Sequence, residues 1–270
     1  MILNDILLQK KKYLEELKQR MPLQRLQRIV EKMERPNPRP FRSALISQRG
    51  LNIIAELKKA SPSEGVLRED FQPLRIATLF EYAGACAISV LTESHFFKGR
   101  PSYLKTVRQV TNLPLLRKDF IFERYQLYET AILEADAFLL IASILSEEEL
   151  KELIALGKEL RMDALVEVHS DAELKKALNA DAKIIGINNR DLKTLSVDPD
   201  RAQTLIPHVP KGIAIVVESG LKTHEELLRY KSLGANAFLI GSALIQSKDI
   251  AKTLQRLLGK KESSIASEPQ

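Results

Sequence analysis

Eight short apolar runs recur along the chain from residue 53 onward, and each is followed by a stretch with helical spacing of its apolar residues. The runs fall at 53–57, 87–91, 115–118, 137–141, 164–168, 184–187, 214–217 and 237–240. The helical stretches follow at 74–82, 103–110, 125–135, 147–160, 171–178, 198–206, 224–233 and 250–257. Alternation of strand and helix requires a parallel sheet, because parallel neighbours need a crossover connection. Strands that are apolar almost without interruption are covered on both faces. Eight such units predict an α/β fold of the closed (β/α)8 TIM-barrel type over 51–258. The alternative, an open doubly wound sheet, would carry a Gly-rich phosphate turn after its first strand; none follows residue 57.

About fifty residues precede the first strand and show no sheet pattern of their own. Ile6, Leu7, Tyr13, Leu14 and Leu17 recur at helical spacing, which predicts a helix over about 4–18 with Lys10, Lys11 and Lys12 on a solvated face. A second helix runs through Leu26, Ile29, Val30 and Met33, Pro36, Pro38 and Pro40 interrupt the pattern, and a short third helix leads to Gly50. Residues 1–50 therefore read as a helical extension of the barrel, and 259–270, polar throughout, as a disordered tail.

Of the 270 residues 44% are hydrophobic, enough for one large core. The net charge of +6 fits an anionic metabolite as well as a nucleic acid. Without zinc-type Cys/His spacing or aromatics interleaved with a basic cluster, the metabolite is the better reading and nucleic acid is not expected. Cys86 has no partner for an intrachain disulfide, which fits a reducing compartment and a small core residue. No apolar run reaches membrane-spanning length, and the N-terminus lacks the basic and apolar regions of a secretory signal. A cytoplasmic protein without membrane contact is expected.

Active sites of such barrels lie at the C-terminal strand ends. Strand one ends in Glu56 and Lys58, which share a face with Ile54 because side chains alternate along a strand. Strand three ends in Lys118, strand five carries Glu167, and strand six runs into Asn188 and Arg190. Buried charges are costly unless paired or used. These six polar residues are thus expected to converge on one pocket mouth, with a purely structural ion-pair network as the plainer alternative. Ser219-Gly220 and Gly241-Ser242 follow strands seven and eight, the usual phosphate position of this fold. They point to a phosphorylated small molecule, and the loop Ser61-Pro62-Ser63-Glu64-Gly65 is placed to close over it. Lysines beside glutamates supply a general acid and a general base without metal or cofactor. His169 reads as a rim residue. A Schiff-base aldolase using Lys118 or Lys58, a sugar-phosphate isomerase, and a non-catalytic barrel that only binds stand as alternatives.

The motifs Glu56-Leu57-Lys58-Lys59-Ala60-Ser61-Pro62-Ser63, Arg117-Lys118-Asp119-Phe120, Gly186-Ile187-Asn188-Asn189-Arg190-Asp191, Glu218-Ser219-Gly220 and Phe238-Leu239-Ile240-Gly241-Ser242 resemble those of the indole-3-glycerol phosphate synthase family, over residues 2–258 and in its monofunctional form. The resemblance implies a carboxy-lyase of tryptophan biosynthesis. It would close the ring of 1-(2-carboxyphenylamino)-1-deoxyribulose 5-phosphate, with loss of CO2 and water. By the same resemblance Lys118 matches the acid of ring closure. Lys58 and Glu167 match the residues of dehydration, with Glu56 and Asn188 as partners and Ser219 beside the chemistry; which lysine is the acid of dehydration stays open. Arg190 matches a substrate-orienting residue, Phe97 and Phe120 an apolar wall, and Leu239 a further substrate contact. Ser61, Gly220, Gly241 and Ser242, with Ser219, match substrate and phosphate contacts. No cofactor or metal is implied, and the expected assembly is a monomer, with a weak dimer as the alternative. Glu64, Arg100 and His95-Phe96 depart from the family's usual Lys, Ser and Lys-Tyr, all on loops.

Overall fold

The computed structural model describes residues 2–33, 39–47, 50–192 and 194–260. Eight strands form a closed barrel: β1 (Asn52–Leu57), β2 (Ala87–Leu91), β3 (Leu115–Lys118), β4 (Ala137–Ile141), β5 (Asp163–Val168), β6 (Ile184–Asn188), β7 (Ala214–Glu218) and β8 (Ala237–Ile240). Each pairs in parallel with the next, and β8 returns to β1. The expected strands all form, with ends moved by at most one residue. The small shifts add polar residues that apolar periodicity does not count: Asn52, Asp163, Asn188 and Glu218 belong to the ladders.

Alternation separates two cores. Ile53, Ala55 and Leu57 face outward into the layer between barrel and helices, while Ile54, Leu116, Leu139, Leu165, Val216 and Leu239 fill the barrel. Helix starts are set locally. Ser146 and Glu149 form a reciprocal capping box at α7 (Glu147–Glu159), as do Thr223 and Glu226 at α10 (His224–Leu233), numbering the helices in chain order. A short helix, α11 (Ser242–Ile245), stands between β8 and α12 (Ile250–Leu257) and was not anticipated, because four residues are too few for a periodic signal. Gly259 and Lys260 close α12, Lys260 donating its backbone N–H to Gln255 O. These two residues belong to the tail expected from 259; the rest of it, 261–270, like the prolines Pro36 and Pro38, lies outside the described residues. Among the described residues no helix is long and apolar enough to cross a membrane.

Of the N-terminal helices, α1 (Ile2–Arg20) and α3 (Phe41–Ile46) are built into the barrel's ends, while α2 (Leu23–Lys32) packs on the outer helix at 124–132, Leu26 clustering with Tyr125. Phe41 and Leu45 of α3 join the interior cluster at the end where Asn52 donates to Leu45 O at 2.7 Å. Leu3 and Ile6 of α1 join it at the other end, beside Phe97 and Phe120. Lys10 is not on a solvated face. It is 5% exposed, and its ammonium lies 2.7 Å from the buried Asp119 carboxylate. Helical periodicity cannot reveal a lysine whose partner is more than a hundred residues away.

Asp119 continues the outward face of β3 and is held from four directions. Lys10 reaches it from α1, Thr92 donates at 2.6 Å, Arg117 at 3.1 Å and the Phe120 N–H at 2.8 Å. Arg117, fully buried, also pairs with Glu129 at 2.6 Å and donates to Thr130 and the Gln126 carbonyl on α6 (Arg124–Ile132). A buried charge stripped of a partner costs about 3–5 kcal/mol. Lys10→Met should therefore lower unfolding free energy by about 3 kcal/mol in denaturant titration. Burial would raise the Asp119 carboxyl, but Lys10 and Arg117 outweigh it and hold it at about 2. A depressed carboxyl stabilises above its unfolded value of about 3.9, and that contribution is lost as pH falls from there through about 2. The native chain should lose stability across this window more steeply than Asp119→Asn, followed by circular dichroism.

Candidate active site

Register places the polar strand ends in one tier. Asn188 pairs with Glu218, Glu218 with Leu239, Leu91 with Lys118 and Ile141 with Glu167, and residues paired in register share a face. All point into the C-terminal mouth. Glu56 and Lys58 form one ion pair there, Lys58 Nζ to Glu56 Oε2 at 3.1 Å. Across the mouth Lys118 pairs with Glu218 and lies 3.4 Å from Glu167 Oε2. Asn188 donates its amide to Glu167 Oε1 at 3.1 Å, and its own oxygen accepts the Arg190 N–H at 2.9 Å, so the amide orientation is fixed. Arg190 is steadied by the Leu195 carbonyl at 2.7 Å.

Burial would lower the pKa of the Lys118 ammonium, but Glu218, Glu167 and Glu56 outweigh it and raise it. It is a protonated acid at neutral pH. Burial likewise pushes Glu167 up, yet Lys118, His169 and Asn188 hold it low. Glu218 goes the other way: burial and the neighbouring Glu167 charge raise it although Lys118 opposes them. Two carboxylates around one ammonium thus divide into a firmly ionised one and one that takes a proton more readily. Glu218 Oε1 has no hydrogen-bond partner although buried.

The apolar wall is set by charges behind it. Phe97 and Phe120 stand 6.2 Å apart between ring centres, tilted by 42°. The buried Glu93 carboxylate accepts the backbone N–H groups of His95, Phe96 and Phe97 at 2.8–3.0 Å, which fixes the loop after β2. The N–H of Phe120 is held by Asp119.

Small residues form the far corner. Ser219 and Gly220 both have positive φ, 68° and 77°, turning the chain sharply out of β7. The Ser219 conformation costs on the order of 1–3 kcal/mol, and the Asn189 amide donating to its carbonyl at 3.3 Å helps retain it. Gly241 has an ordinary φ, but a Cβ there would collide with the Glu56 carboxylate. Its small size makes room for an acid as well as for a ligand. The Ser61 loop is a hairpin, Ala60–Ser61 pairing antiparallel with Gly65–Val66. Arg68 ties it to the carbonyls of Ile245 and Ser247 at 2.9 and 2.6 Å, and Ser242 donates to Glu64 at 2.6 Å.

Glu56, Lys58, Ser61, Phe97, Lys118, Phe120, Glu167, Asn188, Arg190, Ser219, Gly220, Leu239, Gly241 and Ser242 all line one cavity of about 740 Å³. Three features escaped the sequence reading. Glu218 was passed over although it continues the inward face of Val216 by simple alternation. Ile2, Leu3 and Ile6 of α1 also line the cavity, which no local pattern could show. His169 is no rim residue: 10% exposed, it sits between Glu167 and Glu173.

The family model for indole-3-glycerol phosphate synthase matches residues 3–257. Proteins of that name from Alkaliphilus metalliredigens and Campylobacter jejuni are 43% and 45% identical, over 95% and 96% of this chain and 98% and 100% of theirs. Among solved structures, 3-hexulose-6-phosphate synthase from Salmonella typhimurium superposes with a TM-score of 0.60 at 16% identity, covering 77% of this chain and 97% of that one. Thiamine phosphate pyrophosphorylase from Pyrococcus furiosus gives 0.57 at 18%, over 80% and 95%. These two likenesses speak to the barrel fold alone.

Because Glu218 is raised well above the usual carboxylate range of about 4, turnover should decline on the acid side at a correspondingly high pH, as Glu218 takes up a proton and loosens its grip on Lys118. Glu218→Gln should remove that limb and lower turnover about tenfold or more, as read from pH–rate profiles; an unchanged acid limb would contradict the pairing.

Proposed function

Because the chain belongs to the indole-3-glycerol phosphate synthase family, carboxy-lyases of tryptophan biosynthesis, we propose that its cavity converts 1-(2-carboxyphenylamino)-1-deoxyribulose 5-phosphate to indole-3-glycerol phosphate as follows. The phosphate occupies the corner of Gly220, Gly241 and Ser242, with Ser61 and Ser219 beside it. The anthranilate ring packs between Phe97, Phe120 and Leu239, and Arg190 orients the substrate. The ring carbon bearing the carboxylate attacks the ketone carbon, and Lys118 gives its proton to the forming alkoxide. The carboxylate then leaves as CO2, and its bonding pair restores the aromatic ring. In dehydration Glu167 takes the ring N–H proton, and electrons pass through the ring to expel the hydroxyl. A second acid protonates the hydroxyl as it leaves as water. Loss of the neighbouring carbon-bound proton and return of one to nitrogen complete the indole.

Lys58 is assigned as that second acid. Lys118 has already given up its proton, whereas Lys58 is paired separately with Glu56 on another strand. The observation that carries the whole reading is the Lys118 ammonium held charged between Glu218 and Glu167, in one cavity with the small residues after β7 and β8 and an aromatic wall. It also weighs against a Schiff-base aldolase, because an amine nucleophile must be neutral and Lys118 is pushed toward its charged form. A cytoplasmic setting and a monomeric chain complete the proposal.

Mixing the protein with this substrate should give indole absorbance that grows catalytically. Lys118→Ala should lower kcat by about 10²–10⁴ and leave substrate binding in place, as measured by calorimetry, since the phosphate corner is untouched. Normal turnover with weakened binding would contradict the assignment of Lys118. A borohydride-reducible adduct would revive the aldolase.

A further inference from the structure

Glu167 is held by more than the groups that face the cavity. His169 follows it by two residues, past the end of β5, so both side chains leave the strand on the same side. The imidazole lies between two carboxylates. Its Nδ1 is hydrogen-bonded to Glu173 Oε2 at 3.1 Å, whereas its buried Nε2 makes no hydrogen bond and meets Glu167 Oε1 at 3.3 Å as an ion-pair contact. Glu173 is fixed in turn. It belongs to the first turn of α8 (Asp171–Asn179), receives the His169 backbone N–H at 2.8 Å, and its own N–H is capped by Ser170. Glu167 is 2% exposed at its side chain and Glu173 20%, so the three groups run from the cavity wall toward solvent.

The two ring nitrogens decide the charge. A neutral imidazole has one donor and one lone pair. With its proton on Nδ1, toward Glu173, it would aim the Nε2 lone pair at a carboxylate; with its proton on Nε2, it would do so at Glu173. Only the imidazolium turns an N–H and positive charge, not a lone pair, toward both carboxylates. We propose that His169, as an imidazolium clamped by Glu173, is a positioning residue that keeps Glu167 ionised and aimed as a base. This rests on the reading of Glu167 as the base of dehydration.

The charged groups around the ring are Glu167 on β5, Glu173 and Lys176 on α8 and, beyond Glu167, Lys118 on β3. Lys176 is engaged by the carbonyls of Ala142 and Leu145. Burial lowers the ring's pKa, but the close contact with Glu167 and the hydrogen-bonded Glu173 carboxylate outweigh it and raise it to about 9. The sign follows: the clamp is complete below that pH and is lost as pH rises through it. Above it the Nε2 lone pair faces Glu167, which keeps the Asn188 amide but loses the histidine's charge.

Two substitutions separate position from charge. The amide nitrogen of His169→Asn falls near Nδ1, keeping the link to Glu173 but not reaching Glu167. That of His169→Gln falls near Nε2, reaching Glu167 without a titrating charge. Steady-state indole formation would be measured from pH 6 to 10 for both, for the native chain and for Glu167→Gln. His169→Asn should keep KM and lose kcat roughly ten- to a hundredfold. His169→Gln should recover part of that loss and lack the native decline near pH 9. Native kcat in His169→Asn at every pH would overturn the proposal, as would the same decline in His169→Gln. Native kcat in Glu167→Gln would instead overturn the reading of Glu167 itself. If neither histidine variant folds, ring NMR titration of the native chain still decides. The two exposed or loop histidines, His208 and His95, and the α10 residue His224 are assigned by substitution. The remaining ring should titrate near pH 9, and titration at the ordinary value of about 6.5 would overturn the proposal.

Discussion

The proposed chemistry depends on one buried contact, the Lys118 ammonium between the carboxylates of Glu218 and Glu167. In the barrel mouth an unpaired ammonium would shed its proton, and an unpaired carboxylate would take one up. Together they keep the acid charged and one carboxylate ionised in the same small volume. The remaining groups adjust this balance. Asn188 and His169 reinforce Glu167, Glu56 adds to the field at Lys118, and Gly241 gives Glu56 the room to be there.

β3 holds both halves of the design because alternation sends its residues opposite ways. Inward, Leu116 packs the barrel and Lys118 enters the site; outward, Arg117 and Asp119 brace the strand against α6 and α1. The brace is polar but almost fully satisfied, as a buried network must be to contribute stability. Lys10 links α1 to it, and the same helix brings Ile2, Leu3 and Ile6 to the cavity. The extension before the barrel is thus part of the site's wall, and Asp119 also holds the backbone of Phe120, which faces that wall.

The barrel was legible because each strand is a nearly pure apolar run, and the helices between them carry their own start signals, such as Ser146 with Glu149. The convergence of these residues on one cavity was legible because strand ends in this fold converge whatever lies between them. What periodicity could not give were contacts made across the chain. Lys10 looks like any helical surface lysine until Asp119 is placed beside it, and His169 looks like a loop residue until α8 brings up Glu173. Glu218 was a different kind of miss: it sits two residues past Val216, and the same alternation that selected Glu56 and Lys58 selects it too. The family resemblance carried the roles of the matching residues, while the geometry shows which of them touch.

The central claim is that Lys118 remains a charged acid because carboxylates surround it. The direct measurement is a ¹³C NMR titration of the lysine Cε signals in the full-length native protein, with Lys118 assigned by its disappearance in Lys118→Arg. The account predicts that Lys118 keeps its proton past the pH at which ordinary lysines are half titrated, about 10.4. A midpoint at or below that value would show that desolvation outweighs the two glutamates, and the acid would have to be sought elsewhere in the cavity.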